Sequence, residues 1–250
     1  MSTEKIYNAT INQIMKNLRE GEGEGGGELL HLDIGSGTGD LVKLLKKHVN
    51  TKASCCDYTD KLIQLSGQKV DIVDLNIKKK LPYQDSAFDI VTATEVIEHL
   101  EDFRAILREI YRVLKPGGIC VLSTPNILNL NSRLRNLWFG FAELMGPLPL
   151  QSRKIESCFG HINPISIFYI MHALHELNFN QIDVAVDKYQ RSGIVKAIIF
   201  WLPIKLVGSI IWWREVTKYK TIDNSNKKIV RSLNSLPILL GRTIIVSAIK

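Results

Sequence analysis

Two short runs of this 250-residue chain gather residue types that do chemistry. The first is Asp33-Ile34-Gly35-Ser36-Gly37-Thr38-Gly39, between the apolar run Leu29-Leu30-His31-Leu32 and a helix-forming segment. Glycine at 35, 37 and 39 lets the backbone turn sharply and approach a bound molecule with no Cβ in the way. A dinucleotide loop would want its third glycine where Asp40 stands, and a diphosphate there would meet a like charge at the helix N-terminus. The loop therefore suits a cofactor without a phosphate bridge better than a nicotinamide dinucleotide. The second run is Glu95-Val96-Ile97-Glu98-His99-Leu100. On a helix, Glu95, Glu98 and His99 would share one face. An imidazole is half-neutral near neutral pH, which makes His99 the first candidate base, with Glu98 beside it. The cluster would either orient that base, hold a divalent metal, or bond to the loop and cap the helix; no metal is assigned.

These runs need elements to hold them. Residues 4–19 carry Ile6, Ile11, Ile14, Met15 and Leu18 at helical spacing, and the Gly/Glu stretch 21–27 reads as a flexible turn. Short apolar strands are expected at 29–35, 53–56, 70–73, 88–92 and 119–123, with helices at 40–47, 59–65 and 96–114 between them. Lys115-Pro116-Gly117-Gly118 is a strong stop signal for the last helix. A helix at 166–177 and strands at 182–186 and 243–249 follow. Such alternation implies an α/β, doubly wound parallel sheet covered by helices on both faces, in a single domain spanning 1–250. Its core is 28–190 plus the last strand, 243–249. Two stretches, 126–160 and 191–238, exceed ordinary connections and are expected to be lids or surface attachments.

Taken in order, the motifs resemble class I methyltransferases that use S-adenosylmethionine. The likeness covers about residues 28–190 and rests on Asp33 to Gly39, on Asp57 ending the second strand, and on Asp74-Leu75 after the third. Leu81-Pro82-Tyr83 with Ser86 to Asp89, the Glu95–Leu100 run, and Leu107 to Gly118 complete it. The resemblance implies a Rossmann-like seven-stranded sheet of order 3-2-1-4-5-7-6 with strand 7 antiparallel, apolar helical insertions after strands 5 and 6, and S-adenosyl-L-methionine as cofactor. It implies that Gly35, Ser36, Gly37 and Gly39 turn backbone N–H groups toward the methionine carboxylate. Asp33 would orient the methionine end or the loop itself. Asp57, a two-oxygen acceptor, would hold the ribose hydroxyls, Tyr58 would pack on adenine, Asp74 and Leu75 would meet the adenine amino group, and Thr94 would lie beneath the sulfonium. The E-x-x-E-H run is similar to that of ubiquinone-pathway O-methyltransferases. Methyl transfer needs positioning, plus proton removal when the acceptor is a hydroxyl. Glu98 and His99 are candidates for that work. His161 stands where the family often has a histidine near the acceptor, serving as a base or tying a lid to the core.

Charge and hydropathy bear on the acceptor. Residues 1–190 carry 21 Lys/Arg against 23 Asp/Glu, whereas 191–250 carry 11 against Glu215 and Asp223 alone. That basic surplus is interleaved with Ile194 to Pro203 and Trp212-Trp213, and three of the four tryptophans lie there. The other insertion is also apolar, through Leu134, Leu137, Trp138, Phe139 and Phe141. Both would open on the cofactor edge of the sheet and roof the acceptor pocket. The pattern favours a helix lying in the plane of an anionic membrane surface over one crossing it, with a closed cap or dimer interface as the alternative. Lys196 and Lys205 would fall on opposite faces of a straight helix, so a kink at Pro203 or a snorkelling Lys196 is required. Four cysteines (Cys55, Cys56, Cys120, Cys158) show no metal or disulfide spacing, and the N-terminus shows no basic stretch followed by an apolar core, so a cytoplasmic setting is expected. The implied function is methylation of an oxygen on an apolar or lipid-linked small molecule, by an enzyme attached to the inner face of the membrane. A catalytically silent binding protein of the same fold is the rival. A nucleic-acid methyltransferase is disfavoured, because Thr94-Glu95-Val96 stands where base-modifying enzymes carry Asn-Pro-Pro-Tyr. Oligomeric state is not specified.

Overall fold

The computed structural model describes residues 2–20, 27–148 and 160–250. Strands β1 (Leu29–Ile34), β2 (Thr51–Asp57), β3 (Val70–Ile72), β4 (Phe88–Thr94), β5 (Leu114–Pro125), β6 (Asn180–Val186) and β7 (Thr243–Ile249) form one sheet. Its order is β3-β2-β1-β4-β5-β7-β6, and β7 runs antiparallel to both neighbours. This is the expected sheet. Side chains alternate along each strand. Leu32, Val91, Ala93, Leu122 and Val246 face the helices α3 (Phe103–Val113) and α5 (Ile167–Glu176), while Ile90, Val121 and Ile245 face Ile11 and Ile14 of α1 (Ser2–Glu20) and Leu41 of α2 (Asp40–Leu45).

Several local expectations are corrected. Residues 59–65 form bends and turns instead of a helix. Seven residues are too few to nucleate a helix unaided, and tertiary contacts take the segment: Gln64 N–H donates to Thr38 O, and Ile63 lies against Gly39. The single helix expected over 96–114 is broken into a 3₁₀ turn, Ile97–His99, and α3. Asp102 breaks it by capping, its carboxylate accepting from Ala105 N–H. Glu95, Glu98 and His99 therefore do not share a helical face. The Lys115–Gly118 stop ends α3 at Val113, yet β5 already begins at Leu114 and carries the glycines inside it. Cys158 and most of the 21–27 turn lie outside the described residues, whereas Cys55, Cys56 and Cys120 are buried free thiols.

Among the described residues both insertions carry helices. After β5 comes α4 (Leu130–Phe139); after β6 come α6 (Arg191–Arg214), a π turn (Glu215–Tyr219), α7 (Lys227–Ser232) and α8 (Leu236–Leu240). Among the described residues, Arg191–Tyr219 is the one stretch long and apolar enough to cross a membrane, with mean hydropathy 2.0. The α6 helix continues through Pro203. Its stripe of Gly193, Ala197, Phe200 and Ile204 faces the protein, where Leu130, Leu239 and Leu240 cover it. The opposite stripe is bare: Ile198 is 79% exposed and Leu202 57%. The lysine problem is solved without a kink. Lys196 turns inward to donate to Asn131 Oδ1 of α4, while Lys205 stays outside, 5.9 Å from the Trp201 ring centre.

Asn126 joins the two insertions to the sheet. Its buried Nδ2 donates to Ile238 O (2.7 Å) and Gly241 O (2.9 Å), and its Oδ1 accepts from Leu128 N–H. Asn126→Ala leaves two buried carbonyls unpaired and should cost about 2–4 kcal/mol. Urea unfolding is expected to show a lower midpoint at unchanged slope; an unaltered midpoint would remove the clamp.

Candidate active site

The turn after β1 depends on left-handed backbone at Gly35 (φ +69°), where a Cβ would stand 2.3 Å from Val96 Cγ2. Only glycine permits that approach. Gly37 has open space where its side chain would be, so its position faces the cavity unobstructed. Gly39 serves differently: a Cβ there would meet Ile63 at 2.8 Å, so it admits the 59–65 segment.

Beneath the turn, β1 and β4 are joined by a buried chain of polar groups. Thr92 Oγ1 donates to Asp33 Oδ1 (2.7 Å) and lies 2.7 Å from His31 Nε2. With its hydroxyl proton committed to Asp33, Thr92 accepts from His31, which assigns the proton to Nε2 and leaves Nδ1 bare. Burial pushes Asp33 up to about 7 and His31 down to about 3, so the imidazole is neutral. Asp33 is 2% exposed and lies below the turn instead of along the cavity wall.

A cavity of about 230 Å³ opens at the carboxyl ends of β1, β2 and β4. Of the predicted cofactor residues, Gly35, Gly37, Asp57, Tyr58, Asp74 and Leu75 line it, while Asp33, Ser36, Gly39 and Thr94 stand behind the wall. Asp57 Oδ2 accepts from Gly37 N–H at 2.8 Å, so the carboxylate also holds the turn open. Asp74 Oδ1 accepts from Asn76 and Ile77 N–H. Asn76 is a wall residue that sequence reading missed. Its amide donates to His99 O and accepts from Glu101 N–H, tying the loop after β3 to the turn after β4. The one available signal was its place two residues after Asp74, the usual spacing of an aspartate-closed turn. Tyr7 of α1 lies near Asp33, Asp40 and Glu95; burial, then those charges, push its phenol up to about 12.

The three predicted catalytic residues come together. Glu98, His99 and His161 each offer an atom within 4.8 Å of the others, close enough to hold a cation. The His99 and His161 rings meet edge to face with centres 4.9 Å apart. His99 Nδ1 bonds Gly160 O (3.0 Å) and His161 Nδ1 bonds Leu144 O (2.6 Å). A carbonyl only accepts, so both imidazoles carry hydrogen on Nδ1; in His99, which burial keeps neutral, Nε2 is left bare. His99 lines the cavity, whereas His161 and Glu98 sit behind it. Burial holds His99 below the ordinary imidazole range. Burial, then the neighbouring Glu95, push Glu98 up to about 8, and burial takes Glu95 to about 7. The His161 segment is fastened to this turn: Asn163 N–H donates to Glu98 O and its amide to Leu100 O.

Comparison with known proteins places this geometry. A family model described as a methyltransferase domain matches residues 32–122. A demethylmenaquinone methyltransferase of Chlorobaculum parvum is 30% identical over 191 residues, spanning 76% of this chain and 74% of the relative. A ubiquinone/menaquinone biosynthesis C-methyltransferase of Desulfotalea psychrophila is 28% identical over 174 residues, or 66% of this chain and 65% of the relative. Among solved structures, a SAM-dependent methyltransferase of Archaeoglobus fulgidus has the same fold at TM-score 0.54 and 19% identity, covering 96% of this chain and 94% of its own. Sequence identity sustained over that length in the Chlorobaculum relative is shared ancestry, not a shared glycine turn alone, and the chain belongs to the class I S-adenosylmethionine-dependent methyltransferases.

Proposed function

We propose that this enzyme methylates a hydroxylated ring carried on an apolar tail, at the cytoplasmic face of a membrane. The observation that carries the chemistry is His99: a neutral imidazole in the cavity wall, its Nδ1–H held by Gly160 O and its Nε2 bare. That is the tautomer of a general base.

The cavity suits S-adenosylmethionine on its own terms. Val73, Leu75 and Leu62 make an apolar slot for a flat base, Asp57 and Asp74 put carboxylates along it, and Gly37 leaves room for a close ligand. Asp57 would hold the ribose hydroxyls, Asp74 and Leu75 the adenine, Tyr58 would pack beside it, and Gly35 and Gly37 would face the methionine end. Asp33, Ser36, Gly39 and Thr94 support that wall from behind. When bound, S-adenosylmethionine supplies an electrophilic methyl group; the chain supplies position and a place for a proton. His99 takes the hydroxyl proton of the acceptor. Glu98, buried beside the pair and protonated around neutral pH, puts no negative charge there that would raise the His99 pKa. His161 also ties the 126–160 insertion to the site through Leu144.

Removing the hydroxyl proton gives an oxyanion that attacks the methyl group through oxygen, or through an adjacent ring carbon whose hydrogen then leaves as a proton to restore the ring, and ring orientation decides between them. The E-x-x-E-H run favours oxygen; the names of the relatives, a C-methyltransferase and demethylmenaquinone methyltransferases, favour carbon and a quinone-class acceptor. We take a quinol-like ring as the acceptor class and methylation at carbon as the first product to seek. Membrane attachment is supported by the bare stripe of α6 and by Leu137 and Trp138 of α4, which are 71% and 80% exposed. Its protein side is occupied by Leu130 and Leu239, which favours a helix lying in the surface over one crossing it.

Asp57→Ala should weaken S-adenosylmethionine binding about a hundredfold by calorimetry, since two hydroxyls lose a charged acceptor. Unchanged affinity would sink the assignment. His99→Ala should slow turnover about 10²–10³-fold with little change in cofactor affinity. Because burial lowers the His99 pKa, the base stays neutral into acid, and the acid limb of kcat/KM should fall below pH 6.5 and vanish in the variant. A limb that persists would move the base elsewhere. Ile198→Asp with Leu206→Asp, both on the bare side of α6, should abolish sedimentation with phosphatidylcholine vesicles while cofactor affinity stays intact. Undiminished sedimentation would refute the membrane-facing stripe.

A further inference from the structure

A second cavity, of about 610 Å³, lies away from the catalytic one, under the C-terminal half of α6. Its walls are apolar at Ile204, Ile211, Trp212 and Val230, with Gly208 among them. Three cations line it, Arg133 of α4, Lys205 of α6 and Arg231 of α7, against one acid, Glu215. Glu215 is already engaged by the Thr221 hydroxyl. None of the three cations forms an ion pair among the described residues. Arg133 donates to Leu128 O, Asn234 Oδ1 and Leu233 O, which uses three of its five N–H groups. It is half-buried, and burial lowers its pKa, the mark of a desolvated cation without a counter-charge. Arg231 rests 4.9 Å from the Trp212 ring centre, which holds it at the rim.

Height above the membrane decides what fills this groove. A helix lying in the interface sinks its apolar face about 5–10 Å into the headgroup–acyl boundary. Its opposite face then sits at the level of the lipid phosphates. The groove opens on the protein-facing side of α6, so Arg133 and Arg231 meet the phosphate layer while Ile198 and Leu202 meet the acyl chains; Lys205, exposed on the outer edge of the groove, snorkels to the same layer.

We propose that this groove binds the phosphate headgroup of an anionic phospholipid, with the first acyl carbons against Ile204, Ile211 and Trp212. The inference rests on the membrane-facing reading of α6, and it adds what that reading lacks, a preference among lipids.

The test is co-sedimentation of the full chain with vesicles of phosphatidylcholine alone or of phosphatidylcholine and phosphatidylglycerol two to one, at physiological salt. The wild type should favour the anionic vesicles. Lys205→Gln with Arg231→Gln should lower anionic partitioning about tenfold and leave partitioning to phosphatidylcholine alone unchanged. Lys227→Gln with Lys228→Gln removes the same charge from exposed positions on α7 and should lower it less than about threefold. Equal losses in the two double variants would reduce the preference to a diffuse field and overturn the groove. A wild type that binds both vesicle types equally would overturn the groove alone, whereas one that binds neither would overturn the membrane reading with it. Water-soluble dihexanoyl phosphatidylglycerol should displace the protein from anionic vesicles where the same concentration of inorganic phosphate does not. Equal displacement would make the groove a bare phosphate site and end the lipid assignment. Thermal midpoint and cofactor affinity, measured on each variant, confirm that it is folded.

Discussion

The turn after β1 can lie against the turn after β4 only because position 35 has no side chain, and the active site follows from that contact. Val96 occupies the space a Cβ would claim. Were the two turns apart, Gly37 could not reach Asp57 on one side while Asn76 reaches the back of His99 on the other. Parallel pairing delivers the pieces to one edge: β1 lies between β2 and β4, so three strand ends and their loops converge there. The buried His31–Thr92–Asp33 chain then bolts β1 to β4 directly below the turn. Its polar groups are buried and bond one another across the strand pair, which confines the two strands to one register.

The same edge stores electrostatic cost. Asp33, Glu95 and Glu98 are all pushed up by burial, to about 7, 7 and 8, and no lysine or arginine forms an ion pair with any of them among the described residues. For an acid whose folded pKa is raised, the folded state holds the proton longer than the unfolded one, so stability falls as pH climbs from the unfolded value through the folded value. The active-site edge is thus held together best with its carboxyls protonated. With Glu98 neutral, no buried negative charge stands beside His99 to raise its pKa, so the stability cost and the neutral imidazole share an origin.

Much of this was legible from residue order. The strands and the glycine turn stood out because a short apolar run followed by Asp-x-Gly-x-Gly-x-Gly has few other solutions, and Asp57, Asp74 and His99 follow at strand ends. Periodicity failed where tertiary contacts or caps outvoted it. Ile63 and Leu65 fall in the expected helix but are spent against Gly39 and Val42, while Leu62 lines the cavity. Asp102 reads as an ordinary helix residue until its carboxylate is seen closing the N-terminus of α3. The division of the cofactor motif into residues that line the cavity and residues that brace it could not be read at all. Asp33 and Asp57 are both strand-end aspartates, and their roles differ only because one faces the buried Thr92 and the other the open turn.

The antiparallel insertion of β7 also orders events in time. β6 pairs with β7 and with no other strand, and 56 residues, including all of α6, separate the end of β6 from the start of β7. During synthesis, at about 5–20 residues per second, the long apolar helix α6 therefore leaves the ribosome several seconds before the strand that closes the sheet beside it. In that interval β6 has no strand to pair with and α6 has no α8 to cover its inner stripe, so its whole circumference is open to whatever surface is nearest. The sheet is therefore completed last at the place where its longest apolar helix is attached, and the edge of β6 stays open until β7 has been made.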